Sequence, residues 1–254
     1  MLRPRIIPCL LVKNGGLVKT VRFGDPKYVG DPINAVRIFN EKEVDELAVF
    51  DIDAAVQKRE PDYDLIANLA AECRMPLCYG GGVEHEDQIQ RIIGLGVEKV
   101  ALSSAAVRDP GLISRAAAKV GSQSVVVVMD VKKAGLLRKY EIFTRNGSSG
   151  TGLDPVAFAR RAEEAGAGEI VVNSIDRDGE MKGYDVELAS RVRDAVSLPL
   201  TILGGAGSMS DIEGLIRRFG LVGAAAGSLF VFKGKYRAVL INYPNREQKD
   251  ACIS

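Results

Sequence analysis

The chain has 254 residues, 46% of them hydrophobic and 26% charged, with a formal net charge of +1. That length suits one large core of the (β/α)8 kind, which typically needs about 250 residues. The near-neutral balance gives no overall electrostatic footprint for nucleic acid or an anionic membrane, and no segment approaches the roughly 20 apolar residues of a membrane span.

The first twelve residues, MLRPRIIPCLLV, look superficially like a secretory signal, with two arginines before an apolar run. The run is too short, since a signal h-region usually needs about 7–15 residues followed by a small-residue cleavage site. A cytoplasmic protein is therefore expected. Cys9, Cys73, Cys78 and Cys252 lack metal-ligand spacing and read as reduced thiols. Neither a metal nor a cofactor is expected.

Eight short apolar runs follow one another at 5–11, 46–52, 76–80, 98–103, 124–130, 169–174, 199–203 and 222–226. They are continuous rather than alternating, as strands covered on both faces should be. Amphipathic stretches such as 64–74 and 154–166 separate them, which implies parallel βαβ units. After the first run comes Gly15-Gly16 and then Lys19, a lysine on a glycine-hinged loop that could close over an anion or simply be a solvated surface residue. Asp31-Pro32, Glu60-Pro61, Asp109-Pro110 and Asp154-Pro155 each open a helix, an acidic cap with proline in the first turn. Segment 133–152, after the fifth run, is expected to hold a short hairpin over the mouth of the fold.

The chain repeats itself. ELAVFDIDA (46–54) echoes EIVVNSIDRDG (169–179), MPLCYGGGV (75–83) echoes LPLTILGGAG (198–207), and GVEKVALSSAAV (96–107) echoes GLVGAAAGSLFV (220–231), at separations of 123, 123 and 124 residues. IIPCLLVK (6–13) echoes VVVVMDVK (125–132) at 119. Eight units, four in each half, close most naturally into a single (β/α)8-barrel domain over 1–254, with half-barrels of about 1–120 and 121–254. An open doubly wound sheet is the competing arrangement.

Small residues follow four of the strands in two matching sets. Gly81-Gly82 goes with Ser103-Ser104, and Gly204-Gly205 with Gly227-Ser228. Such sets suit two phosphate groups held at opposite sides of the mouth, through close backbone approach and serine donors. One glycine pair alone would be satisfied by a tight strand-to-helix turn; the repetition favours anion binding. Asp51, Asp53, Asp130, Asp176 and Asp178 stand at or just beyond strand ends, where barrels place acid–base groups, and capping is their ordinary alternative. Arg5, Glu46, Lys99 and Glu169 stand at strand starts with charges that cancel. They are either paired around the lower opening, as a gate for a small neutral molecule, or solvated strand ends.

The motif NSIDRDGEMKGYD (173–185), with YGGGV (79–83), LGGAG (203–207), RIIPCL (5–10) and the GDP at 30–32, resembles the cyclase subunit of imidazole glycerol phosphate synthase, over nearly the whole chain to about Phe232. The resemblance implies a (β/α)8-barrel lyase that pairs with a glutaminase subunit and passes ammonia through the barrel to a bis-phosphorylated ribulosyl substrate. It assigns the ammonia gate to Arg5, Glu46, Lys99 and Glu169, the glutaminase contact to Glu98, and the loop lysine to Lys19. It assigns phosphate contacts to Gly82, Ser103, Ser104, Asp178, Gly179, Gly205, Gly227 and Ser228; Gly204 joins them from the repeat. The family's two catalytic aspartates fall on Asp130 and Leu11. Leucine cannot transfer a proton, and losing one acid–base group typically costs about 10²–10⁴-fold in rate.

The run FKGKYRAVLINYPN (232–245) departs from the usual cyclase ending as well. Together the departures resemble a paralogous branch associated with lipopolysaccharide O-antigen synthesis. There the barrel and its glutaminase supply ammonia to a separate amidotransferase that turns an acetamido sugar into an acetamidino sugar. Three functions stay open at this point: an ammonia-channelling subunit for amidino-sugar synthesis, a histidine-pathway cyclase in which Asp51 or Asp53 replaces the missing carboxylate, and a silent scaffold that binds a phosphorylated ligand and activates its glutaminase.

Overall fold

A strand covered by helices on its outer face and by other strands inside must be apolar on both sides, and the eight expected runs are. The computed structural model describes residues 3–253; Met1 and Leu2, the start of the signal-like run, lie outside it. The barrel strands are Arg5–Lys13, Leu47–Asp51, Leu77–Gly80, Lys99–Leu102, Val125–Ala134, Glu169–Ser174, Leu200–Leu203 and Gly223–Ala226. All neighbours pair in parallel. Pairing of the fifth strand with the sixth, with Asp130 opposite Asn173, closes the ring. The fold is a (β/α)8-barrel with the half-barrel repeat.

The closed sheet divides the apolar interior in two. Outside it, residues such as Phe39, Leu69, Ile92, Phe158 and Leu215 fill the layer between strands and helices. Inside it, Ile7, Cys9, Ala48, Cys78, Ala101, Val126, Val128, Val171, Leu203 and Ala225 fill the lumen. Many of these inner residues are small because side chains from all eight strands converge on one axis. The cysteines are free thiols.

Helix starts follow the acid-plus-proline pattern at two of four places. Asp31 accepts from Asn34 N (2.9 Å) and Asp154 from Ala157 N (2.9 Å), each with proline in the first turn. The other two need correction. After Glu60-Pro61 the helix opens at Tyr63, because Asp62 is the better-placed cap, accepting from Leu65 N at 3.0 Å. After Asp109-Pro110 it opens at Gly111, whose N–H is taken by Asp109 Oδ1 at 3.0 Å.

Two hairpins rise from the carboxyl rim. The expected one continues the fifth strand into Lys139–Thr144, pairing Asp130 with Phe143. Its repeat partner after the first strand, Gly16–Val21 with Gly24–Gly30, was read from sequence only as a hinged loop. Asn14-Gly15, with both φ positive (49° and 75°), turns the first strand back into Gly16–Val21, and Asn-Gly is a strong short hairpin signal.

Beyond the eighth strand a third, short hairpin pairs Phe232–Lys233 with Ala238–Val239, and a last helix spans Arg246–Ile253. The Tyr243 hydroxyl donates to Ile6 O (2.8 Å) and accepts from Asp45 N (3.3 Å), while Lys249 Nζ lies 3.0 Å from Asp45 Oδ1. Among the described residues no helix is long and apolar enough to cross a membrane.

Gly223 opens the eighth strand opposite Arg5 and Thr201. A Cβ there would collide with Thr201 Oγ1 and lie 3.1 Å from Ile7 Cδ1. Overpacking of this sort typically costs about 1–3 kcal/mol. Gly223→Ala is therefore expected to lower Tm by about 2–4 °C per kcal/mol; an unchanged calorimetric Tm would show that the strand start yields freely.

Candidate functional site

The carboxyl ends of the strands surround a cavity of about 150 Å³. Asp130 stands in its floor, accepting from Asn173 Nδ2 (2.8 Å) and Ser103 Oγ (3.3 Å). Burial pushes its carboxyl up to about 6, against those two hydrogen bonds, which pull it down. Leu11 also lines the cavity and packs on the lumen cluster. The floor thus presents one carboxylate at the fifth strand and an isobutyl group at its repeat position on the first.

Lys19 is neither solvated nor on a swinging loop. It lies in the hairpin strand, is 5% exposed, and donates from Nζ to Cys9 O at 2.5 Å. Burial depresses its pKa, and the influence of Cys9 and Asp178 raises it only in part. Gly227 makes room for it: a Cβ at that position would sit 2.7 Å from Lys19 Nζ. Asp178 also lines the mouth and accepts from Thr20 Oγ1 (2.7 Å) and Phe23 N (3.1 Å), fastening the first hairpin to the loop after the sixth strand. Its pKa is raised by burial, opposed by those same bonds.

The two small-residue sets face each other across the ring. Gly82, Ser103 and Ser104 line the mouth beyond strands three and four; Gly204, Gly205, Gly227 and Ser228 line it beyond strands seven and eight, with Gly179 beside them. Ser104 Oγ accepts from Arg145 N of the fifth-strand hairpin (3.2 Å).

The other expected acids are engaged in local structure. Asp51 borders the cavity, but its Oδ1 accepts from Asp53 N (3.0 Å) and Ala54 N (3.1 Å), and Arg59 Nη2 lies 3.5 Å from Oδ2. Asp176 caps Lys133 N at 2.9 Å. Asp53 is not in the cavity wall; Lys13 Nζ lies 3.8 Å from its Oδ1, and its Oδ2 is buried without a hydrogen-bond partner. Asn173 went unassigned from sequence although it sits inside the most specific motif. Its signal is register, since it is the penultimate residue of the sixth strand and lies directly opposite Asp130.

At the opposite end of the barrel, Arg5, Glu46, Lys99 and Glu169 do meet around the axis. Arg5 bonds Glu46 and reaches Glu169 Oε1 at 2.7 Å; Lys99 Nζ lies 2.9 Å from Glu46 Oε2 and 2.8 Å from Glu169 Oε2. Thr201 Oγ1 adds a 2.5 Å hydrogen bond to Glu169, a partner not foreseen from sequence. For Arg5, Lys99 and Glu169 burial works against charge, yet the partners prevail. The pKa values of Arg5 and Lys99 are raised by the two glutamates, and that of Glu169 is lowered by Arg5 and Lys99. The four form a closed, ionised ring. Glu98 is exposed beside it, tied by Oε2 to Leu77 N at 2.7 Å.

Above the ring lies a second cavity of about 20 Å³, walled mostly by apolar side chains. That is room for about one water-sized molecule. Cys9, Phe50 and Leu203 border both this cavity and the mouth.

This chain, a (β/α)8-barrel with matched small-residue turns around a mouth floored by Asp130, belongs to the histidine biosynthesis protein family, whose sequence model matches residues 5–237. Within that family the chain is of the HisF type. It is 57% identical over 251 residues, 99% of both chains, to a protein of Leptospira interrogans provisionally named imidazole glycerol phosphate synthase subunit HisF. It is 53% identical over 250 residues to the similarly provisional hisF2 of Pseudomonas aeruginosa, covering 98% of this chain and 99% of that one. To the imidazole glycerol phosphate synthase subunit HisF of Hyphomonas neptunium it is 43% identical over 232 residues, 91% of each. The numbered name hisF2 is consistent with a paralogous HisF branch.

Asp130 gives a pH signature. Its folded pKa lies above the unfolded value of about 3.9, so its contribution favours folding below that pH and is lost as pH rises through about 6. Asp130→Asn is therefore expected to be more stable than the parent at pH 7.5, by about 1–3 kcal/mol, and to lose that advantage at pH 4. Urea titrations at both pH values measure it; an equal difference at both would refute the raised carboxyl.

Proposed function

We propose that this chain is the ammonia-receiving synthase subunit of a glutamine amidotransferase, paired with a HisH-type glutaminase that docks at the face around Glu98. Ammonia enters through the ring of Arg5, Glu46, Lys99 and Glu169 and moves up the lumen. The observation that carries this reading is the stack itself: a charge-neutral ring, a small apolar-walled cavity above it, and a mouth that shares three wall residues with that cavity. An apolar lumen admits neutral ammonia and strongly disfavours ammonium, because an unpaired ion is costly to desolvate. To pass ammonia, the ring must part by displacement of one side chain. Lys99, held by two carboxylates and nearest in kind to a swinging arm, is assigned that motion.

At the mouth, the two small-residue sets hold the phosphates of a ligand, with Gly82, Ser103 and Ser104 on one side and Gly205, Gly227 and Ser228 on the other. Lys19 supplies the cation between them, and Asp130 is the single acid–base group. With Leu11 opposite, this floor cannot shuttle protons by the two-carboxylate scheme of a histidine-pathway cyclase. Asp51 does not make good the loss, since both its oxygens are engaged. The chain is therefore assigned to the branch that delivers ammonia onward, to an amidotransferase that makes an acetamidino sugar for surface polysaccharide.

Two experiments test this. With free ammonia and the bis-phosphorylated ribulosyl substrate, the purified chain is expected to turn over at least about 10²-fold more slowly than a two-aspartate cyclase, and Leu11→Asp to recover part of the difference. Parent activity equal to that of a two-aspartate cyclase would overturn the assignment. Lys99→Met leaves surplus negative charge in the ring, which typically costs about 3–5 kcal/mol in stability when a buried pair is broken. In the complex with the glutaminase, that variant should change the ratio of ammonia delivered to glutamine hydrolysed. An unaltered ratio would remove the gate role.

A further inference from the structure

The formal net charge of +1 conceals a local asymmetry at the mouth. The two hairpin tips at 132–139 and 233–240 read KKAGLLRK and KGKYRAVL, seven cations and no acid. They also carry the three most exposed large hydrophobics of the described residues: Leu136 is 100% exposed, Tyr236 91% and Leu137 75%. Beside Tyr236, Val239 and Leu240 are exposed too.

Both tips lean on the same segment. Lys133 Nζ is 3.3 Å from Glu187 Oε2 and Tyr140 donates to Asp185 Oδ1 at 2.9 Å. From the other hairpin, Arg237 Nη2 donates to Gly179 O at 2.8 Å. The tips therefore stand on one flank of the rim, on either side of the loop after the sixth strand, whose exposed Lys182 is paired with Glu180.

The geometry points to a docking surface for an anionic lipid bilayer on this flank. A protein interface buries a contiguous apolar core from which charge is depleted. Here the apolar side chains sit at separate extremities, each between cations. A bilayer accepts such points independently. Leucine and the tyrosine ring enter the headgroup boundary while lysine and arginine stems lie along it with their charges at the phosphates. A cluster of about 4–8 cations is the number that recognises an anionic leaflet. Neither tip belongs to the machinery assigned above, so this surface stands or falls apart from the ammonia-transfer reading.

The 254-residue chain is tested by co-sedimentation with vesicles of phosphatidylcholine alone and with about one-third phosphatidylglycerol. Pelleting with the anionic vesicles is expected to exceed that with neutral ones by about tenfold or more and to fall as salt is raised. Leu136→Glu with Leu137→Glu, and separately Lys233→Glu with Lys235→Glu, should each abolish most of it while leaving the circular dichroism spectrum unchanged. Absence of pelleting, equal pelleting with both vesicles, or double variants that pellet like the parent would each overturn the proposal. Loss on the tip variants of an acidic protein partner, without vesicle binding, would reassign the surface to a protein.

Discussion

Every other feature of this molecule depends on the hydrogen-bonded seam between the fifth and sixth strands. With that seam in place the sheet has no free edge, all eight strands run the same way, and each rim collects one kind of chain end. Parallel closure forces the strand starts together at one pole and the strand ends at the other. A charged residue at four strand starts then has no choice but to meet the others on the axis, and the turns leaving the strands have no choice but to ring one cavity. The lumen is narrow for the same reason, and Ala48, Ala101 and Ala225 are small because they face one another across it.

The two poles are electrostatically unlike. At the base, Arg5, Glu46, Lys99 and Glu169 pair with one another and Thr201 joins Glu169, and that pairing holds Arg5, Lys99 and Glu169 charged against burial. Removing water from such groups would be prohibitive for any one alone. At the mouth, the acids Asp130 and Asp178 are pushed toward their protonated forms, and the lone deep cation, Lys19, toward its neutral one. At one end the partners outweigh burial; at the other, burial outweighs them. Between them the apolar lumen keeps the two regimes from short-circuiting.

The strands and their order were legible because continuous apolar runs and a half-chain echo are both direct consequences of parallel closure. The charged ring was legible as a neutral set at strand starts, and its meeting on the axis followed once the ring closed. What escaped depended on three-dimensional company. Lys19 reads as a surface lysine until the Asn14-Gly15 turn folds its strand back over the first barrel strand and carries its amine to Cys9 O. Asn173 looks like one polar residue in a motif until strand register sets it beside Asp130. The helix after Glu60-Pro61 starts late because Asp62 competes successfully for the cap, a contest that pattern alone does not decide.

The clamp formed by Tyr243 has an evolutionary corollary. Its hydroxyl holds Ile6, the neighbour of Arg5, and Asp45, the neighbour of Glu46, so the last stretch of chain is fastened to the two backbone positions from which half of the charged ring is hung. Drift in this tail cannot be neutral with respect to the base of the barrel. Lineages that exchange the tyrosine are expected to carry compensating exchanges at position 45 or in the tail lysine that grips it, so that a segment remote from the mouth inherits its history together with the ring.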